Sequence, residues 1–112
     1  LLEQTGVGPG SRYLDIACGG GLAVRLACER GAMATGLDAS PRLTAIAAAR
    51  SPRATIKTGD MFSLPFDNAS FDVVTSFRGI WGNCLDAIRE AHRVVRPGGK
   101  VGLSFWGNQR RM

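Results

Sequence analysis

Arg12-Tyr13-Leu14-Asp15-Ile16-Ala17, followed at once by Cys18-Gly19-Gly20-Gly21, is an apolar run that halts on a glycine cluster. Such a run reads as a buried strand, and the glycines as the turn that leaves it. Past the turn, Leu22, Ala23, Leu26 and Ala27 recur at helical spacing, and Gly31 closes the segment as a C-terminal cap would. Met33 to Leu37 then reads as a second strand, ending at Asp38. Ser40-Pro41 supplies an N-cap and a first-turn proline for a helix with Leu43, Ile46 and Ala47 on one face, which stops before Pro52.

The same alternation continues to the end of the chain. Ala54 to Thr58 is a third strand running into Gly59-Asp60, and Asp67-Asn68-Ala69-Ser70 is a turn leading into a fourth, Phe71 to Ser76. A third helix over about Leu85 to Val95 places Ile88, Ala91 and Val95 on one side. Arg96-Pro97-Gly98-Gly99 breaks it, and Lys100 to Trp106 is a fifth strand. Strands that alternate with helices and are too continuously apolar for a half-exposed sheet predict a parallel sheet covered on both faces. Right-handed crossovers then give an α/β, Rossmann-like, doubly wound fold of about five strands. Ligands of such sheets bind outside the carboxyl ends of the strands. That edge carries Asp15 through Gly21, Asp38, Gly59-Asp60 and Ser76 through Gly79.

Composition narrows the class. At 112 residues the chain is read as one domain, residues 1–112, and 45% apolar with 21% charged residues is a globular balance rather than a disordered one. No window approaches the run of about 18 apolar residues of a membrane span, and Leu1 to Gly10 lacks the features of a signal peptide. The expectation is a cytoplasmic protein. Three cysteines (Cys18, Cys28, Cys84) without CxxC spacing, and one histidine (His92), make a poor disulfide framework and a poor metal site. The net charge of +5 comes from twelve arginines and two lysines scattered along the chain, which is a solvated surface rather than a nucleic-acid footprint.

The candidate chemistry lies in the glycine turn and the acids around it. A nicotinamide fingerprint needs G-x-G-x-x-G, and Val24 occupies its last glycine position. Asp15 before the turn is also foreign to that fingerprint. Asp38, at the end of strand two, stands where a carboxylate accepts both hydroxyls of a ribose, although it could equally cap the helix after Ser40. Asp60, one strand further, could meet an adenine amino group or serve its own turn. Asp72 belongs to a strand start, away from this edge, and reads as structural. His92 lies on a helix behind the sheet and reads as a packing or surface residue.

Tyr13-Leu14-Asp15-Ile16-Ala17-Cys18-Gly19-Gly20-Gly21 resembles the first motif of class I S-adenosylmethionine-dependent methyltransferases, in their small-molecule, ubiquinone/menaquinone-biosynthesis-like branch. Gly36-Leu37-Asp38-Ala39-Ser40 resembles the second motif. Gly59-Asp60-Met61, with Leu64-Pro65-Phe66 and Phe71-Asp72-Val73-Val74, resembles the third and fourth. Arg93 through Lys100 resembles the segment before strand five. The resemblance implies methyl transfer from S-adenosyl-L-methionine to a small-molecule acceptor. It also implies a cofactor-binding set of Asp15, Ala17, Cys18, Gly19, Gly21, Asp38, Ala39, Asp60, Met61 and Ser76. Asp15 would fix the loop and contact the methionine end, and Gly19 and Gly21 would let the backbone approach the cofactor. Asp38 would bind the ribose, Asp60 the adenine amino group, and Met61 would pack on the ring. Two positions depart from the pattern: Ala17 replaces the motif's usual first glycine, and Gly20 a common threonine or serine. Phe77, Arg78 and Trp81 follow strand four, where the acceptor pocket of such enzymes begins, although Trp81 could equally be core.

No catalytic residue is assigned, because an activated methyl donor needs alignment and desolvation more than a general base, and no metal ligand, because the cysteines and the one histidine make a poor metal site. A nicotinamide-dependent oxidoreductase and a non-catalytic binding or assembly module are the rival readings. The chain also reads as a piece of a methyltransferase. Leu1-Leu2-Glu3-Gln4 looks like the tail of a preceding helix, and the family's antiparallel hairpin after strand five is missing. Strand five is then expected to be an open edge that promotes self-association. Cofactor binding without turnover is the corresponding expectation.

Overall fold

The computed structural model describes residues 6–76 and 85–103. Its strands are β1 (Arg12–Ile16), β2 (Met33–Asp38), β3 (Thr55–Thr58), β4 (Phe71–Ser76) and β5 (Val95–Leu103). The helices are α1 (Leu22–Glu29), α2 (Pro41–Arg50) and α3 (Leu85–Val94). All pairings are parallel and the sheet order is β3-β2-β1-β4-β5, with the first strand at the centre. This is the expected doubly wound α/β architecture.

The two faces of the sheet carry two apolar clusters. Tyr13, Val73 and Ala34 pack with Val24 and Ala27 of α1 and Ala47 of α2. Leu14, Ile16, Leu37 and Val74 pack on the opposite face with Ala91 and Val94 of α3. The alternation of Tyr13 and Leu14 between the clusters is the pleat of a strand covered on both sides. Ser40 caps α2 through its side chain, accepting from the Leu43 amide, with Pro41 in the first turn.

Three expectations are corrected. The helix phases differ: α1 buries Val24 and Ala27 while Leu22 and Leu26 are exposed, and α2 buries Thr44 and Ala47 while Leu43 and Ile46 are exposed. In α3 the buried residues are Ala87, Ala91 and Val94 rather than Ile88 and Val95. In α2 the physical reason is close approach to the glycine turn, where Gly21 leaves room only for a small side chain at Ala47. The third correction concerns β5, which begins at Val95, directly after α3, and not at Lys100. Val95 pairs with Phe71 and Lys100 with Val73, so Arg96 through Gly99 bulge opposite Asp72. Ser104 to Trp106 lie outside the described residues.

At the amino edge, Asp72 ties three strands together. Its carboxylate accepts from the Arg12 backbone amide (2.8 Å), from the Arg12 guanidinium (3.1 Å) and from Arg96 Nε (2.7 Å). Hydrogen bonds from Arg12, followed by the bond from Arg96, hold the Asp72 carboxyl well below the usual carboxylate range. The structural reading of Asp72 is what the geometry shows.

Candidate functional site

The turn after β1 is made by backbone conformations that few residues adopt. Ala17, Gly19 and Gly21 have φ of 57°, 56° and 85°. The Cys18 amide donates to the Leu37 carbonyl and the Gly21 amide to the Cys18 carbonyl, each at 2.9 Å, pinning the turn to the end of β2. The two flanking glycines have different reasons. A Cβ at Gly19 would have nothing within 4 Å, whereas one at Gly21 would lie 2.8 Å from Ala47 Cβ and 3.0 Å from Ala47 Cα. Gly19 therefore borders open space at the carboxyl edge. Gly21 is glycine because α2 passes against it, a role the sequence reading did not give it.

Ala17 bears the cost of the missing first glycine. A left-handed conformation destabilises a residue with a Cβ by about 1–2 kcal/mol, of which extra unfolded-state freedom offsets about 0.4–1 for glycine. Ala17→Gly is expected to stabilise the chain by roughly 0.5–1 kcal/mol, read as a higher denaturation midpoint in urea. An unchanged or lower midpoint would mean the turn is not strained at this residue.

Asp38 joins the turn to the start of α2. Its Oδ2 accepts from the Gly19 amide and its Oδ1 from the Ser40 amide, both at 2.9 Å. A carboxylate has about four lone-pair sites, so each oxygen keeps capacity for one more donor. The capping contact and a contact to hydroxyl groups are thus compatible. Ala39, between Asp38 and the cap, is exposed.

Asp15 is 3% exposed and stands opposite Thr75 of β4 in the register. The Thr75 hydroxyl donates to Asp15 Oδ1 (3.0 Å) and in turn bonds the buried Tyr13 hydroxyl. Burial, reinforced by Asp38, pushes the Asp15 carboxyl up to about 7, against the lowering effect of Thr75. Burial first, then Asp15 and Asp38, push the Cys18 thiol up to about 12, so this buried cysteine beside the turn is a protonated, unreactive group. Burial also raises the Tyr13 phenol. Sequence reasoning missed Thr75 and Tyr13; their positions become meaningful only once β4 is known to pair with β1.

Beyond β3, the exposed Asp60 accepts from the Phe62 amide through Oδ1 (2.8 Å), closing the turn foreseen for it, while Oδ2 has no partner among the described residues. Met61 is half-buried and packs against the α3-side core with Leu64. Ser76, at the end of β4, is fully buried, and its hydroxyl has no hydrogen-bond partner among the described residues. The structure thus brings Asp15, Ala17, Cys18, Gly19, Gly21, Asp38, Ala39, Asp60, Met61 and Ser76 to the carboxyl ends of β1 to β4. Phe77, Arg78 and Trp81 lie outside the described residues. His92 is exposed on α3, as its place behind the sheet implied.

An all-parallel sheet of this order, with its glycine turn and acids at one edge, defines a Rossmann-like fold of the methyltransferase type. The chain belongs to the methyltransferase-domain family, whose model matches residues 14–103. It is 36% identical over 106 residues to an uncharacterized methyltransferase of Synechocystis sp., covering 91% of this chain and 50% of that protein. It is 38% identical over 91 residues to the demethylmenaquinone methyltransferase of Chlorobaculum tepidum, covering 79% and 38%. Among solved structures, the [4+2]-cyclase SpnF superposes with a TM-score of 0.81 at 33% identity, covering 91% of this chain and 41% of that one. The chain therefore spans half or less of the length of these relatives. Among the described residues, no helix is long and apolar enough to cross a membrane.

Proposed function

We propose that this chain holds S-adenosyl-L-methionine along the carboxyl edge of its sheet and serves methyl transfer to a small-molecule acceptor. The observation that carries this reading is the Gly19–Asp38 pair: an amide-anchored carboxylate with spare lone pairs beside a glycine whose Cβ direction is open. Asp38 would hold the ribose hydroxyls, Asp60 through its free oxygen the adenine amino group, and Asp15 the methionine end. The first turn of α1 has no side-chain cap, so its amides and dipole favour a carboxylate there. The cofactor's sulfonium supplies an already activated methyl group. This chain's part is to orient that group and keep water from it.

Calorimetric titration with S-adenosylhomocysteine and with NADH tests the reading. Binding of the first and not the second is expected. Charge-assisted bonds to two hydroxyls are worth on the order of 2–3 kcal/mol, so Asp38→Ala should weaken S-adenosylhomocysteine roughly 30- to 150-fold. Tight NADH binding alone would sink the proposal, and a change below about threefold would reduce Asp38 to its capping role. The resemblance to a [4+2]-cyclase makes methyl transfer to a panel of phenols, quinols and amines the accompanying assay for the reaction itself.

A further inference from the structure

The loop between β3 and β4 is held from behind the sheet by one ion pair on α3. Arg93 uses its guanidinium completely. Nε donates to Glu90 Oε2 (2.8 Å), and Nη2 to Glu90 Oε1 (3.0 Å) and the Leu64 carbonyl (3.0 Å). Nη1 donates to the Phe66 carbonyl (2.8 Å) and to Asn68 Oδ1 (2.9 Å). These contacts engage all five N–H donors that an arginine side chain has. Glu90 is equally occupied, because Oε1 also accepts from the Leu64 amide at 2.7 Å. The Leu64 peptide groups are thus gripped on both sides: the amide by the carboxylate, the carbonyl by the guanidinium. The Arg93 backbone carbonyl adds a bond from the Ala69 amide.

This is unlike an ordinary surface ion pair on a helix, where two long side chains meet in water and contribute little. Here the pair binds backbone groups 26 to 29 residues away in the chain, and Leu64 itself is buried in the α3-side core. The consequence falls on the short segment between this grip and β3. Gly59 is tied to the Asp38 carbonyl (3.0 Å), and Ser63 to the Asp60 carbonyl (3.2 Å). Asp60 and Met61 are therefore suspended between the end of β2 on one side and the Arg93–Glu90 grip on the other. Leu64 stands one residue beyond the turn that Asp60 closes with Phe62 and Ser63, so the grip borders directly on the Asp60 turn.

We propose that Arg93, with Glu90, is a positioning device that sets where Asp60 stands and thereby the preference for a 6-aminopurine in the bound cofactor. This rests on the reading of Asp60 as the partner of the adenine amino group. The pair touches no ligand and acts through the loop. Loss of the planar fork, even with its charge kept, leaves Leu64, Phe66 and Asn68 without their shared donor, because a lysine ammonium cannot reproduce five donors in fixed directions. The result is a loosened Asp60 and a site that no longer separates an amino from an oxo group at that place.

The test compares titrations of the chain with S-adenosylhomocysteine and with S-inosylhomocysteine, which carries an oxo group in place of the 6-amino group. A structural defect spread over the protein weakens both ligands alike; a displaced Asp60 changes their ratio. The native chain is expected to prefer the adenosyl ligand by about tenfold or more, the worth of one hydrogen bond to a charged group. Asp60→Ala should abolish that preference, and Arg93→Lys should lower it at least threefold. The double variant should match Asp60→Ala alone. Glu90→Gln, which keeps one carbonyl acceptor and folds under milder loss, should lower the ratio at least twofold and carries the test if Arg93→Lys does not fold. If Asp60→Ala leaves the ratio unchanged, the reading of Asp60 is wrong and the proposal falls with it. If Asp60→Ala abolishes the ratio while folded Arg93→Lys and Glu90→Gln keep the native value, the Asp60 reading stands and the positioning role is overturned.

Discussion

Between pH 5 and pH 8 the ligand-free chain should lose about 3 kcal/mol of stability, a fall in melting temperature of roughly 10 °C or more. The cause is Asp15, whose carboxyl is pushed up to about 7 in the fold, chiefly by burial. The folded state holds this proton in a range where the unfolded chain has already released it. The benefit is therefore complete below the unfolded value near 4 and lost as pH rises through 7. Asp72 works in the opposite sense and only in stronger acid, because its folded carboxyl is held below the ordinary range. The groups facing Asp15 are Thr75, Tyr13, Cys18 and Asp38, and the two with raised values, Tyr13 and Cys18, stay neutral across the window. Asp15→Asn should flatten the profile and raise the melting temperature at pH 8. Affinity should run the other way. The methionine end of the proposed cofactor carries an ammonium group and favours the ionised carboxylate, so S-adenosylhomocysteine should bind more tightly as the pH passes 7. Thermal melts and titrations at pH 5.5, 7 and 8.5 measure both slopes; a flat melting profile in the native chain would remove the premise.

Gly21→Ala should be close to incompatible with folding, and Gly19→Ala should not. At position 21 the added methyl meets the Ala47 side chain at 2.8 Å and its Cα at 3.0 Å, with φ at +85°. Overpacking against a helix backbone costs about 1–3 kcal/mol and left-handed strain about 1–2 more, together a large share of a small domain's roughly 5–15 kcal/mol. At position 19 the backbone strain is similar, but the methyl enters open space. Gly19→Ala should stay folded and lose its ligand by at least tenfold. Circular dichroism melts and titration of the two variants separate the cases. Equal loss of fold in both would show that the packing against Ala47 is not what position 21 requires.

The central strands β1 and β4 were legible because a parallel sheet demands apolar runs there, whereas the exposed edge strand β3 was marked mainly by the Gly59-Asp60 turn that follows it. The placing of Asp15, Asp38 and Asp60 along one edge was legible as well, because each stands at or beside the carboxyl end of a strand. The helix phases were not. Leu22, Leu26, Leu43 and Ile46 form the larger apolar stripes, yet the residue of α2 that lies against Gly21 is Ala47, and Thr44 turns to Thr58 of β3, constraints that exist only once the elements are packed. The start of β5 was hidden by Pro97, Gly98 and Gly99, which imitate a helix stop while acting as a bulge opposite Asp72. Arg93 was visible as the first residue of a familiar motif and Glu90 was not singled out, and the grip of the two on residues 64–68 joins distant parts of the chain that no local pattern connects.

The central position of β1 also has a bearing on how the chain is made. Its pairing with β2 joins Tyr13 to Ala34, while its pairing with β4 joins Tyr13 to Val73. β1, β2, β3 and the helices α1 and α2 all precede β4 in the chain. Until β4 docks, Asp15 has no Thr75 hydroxyl to accept from and is not enclosed on that flank. The docking of β4 encloses Asp15 and brings the Thr75 hydroxyl to it, so the seam between β1 and β4 is also the one that raises the Asp15 carboxyl.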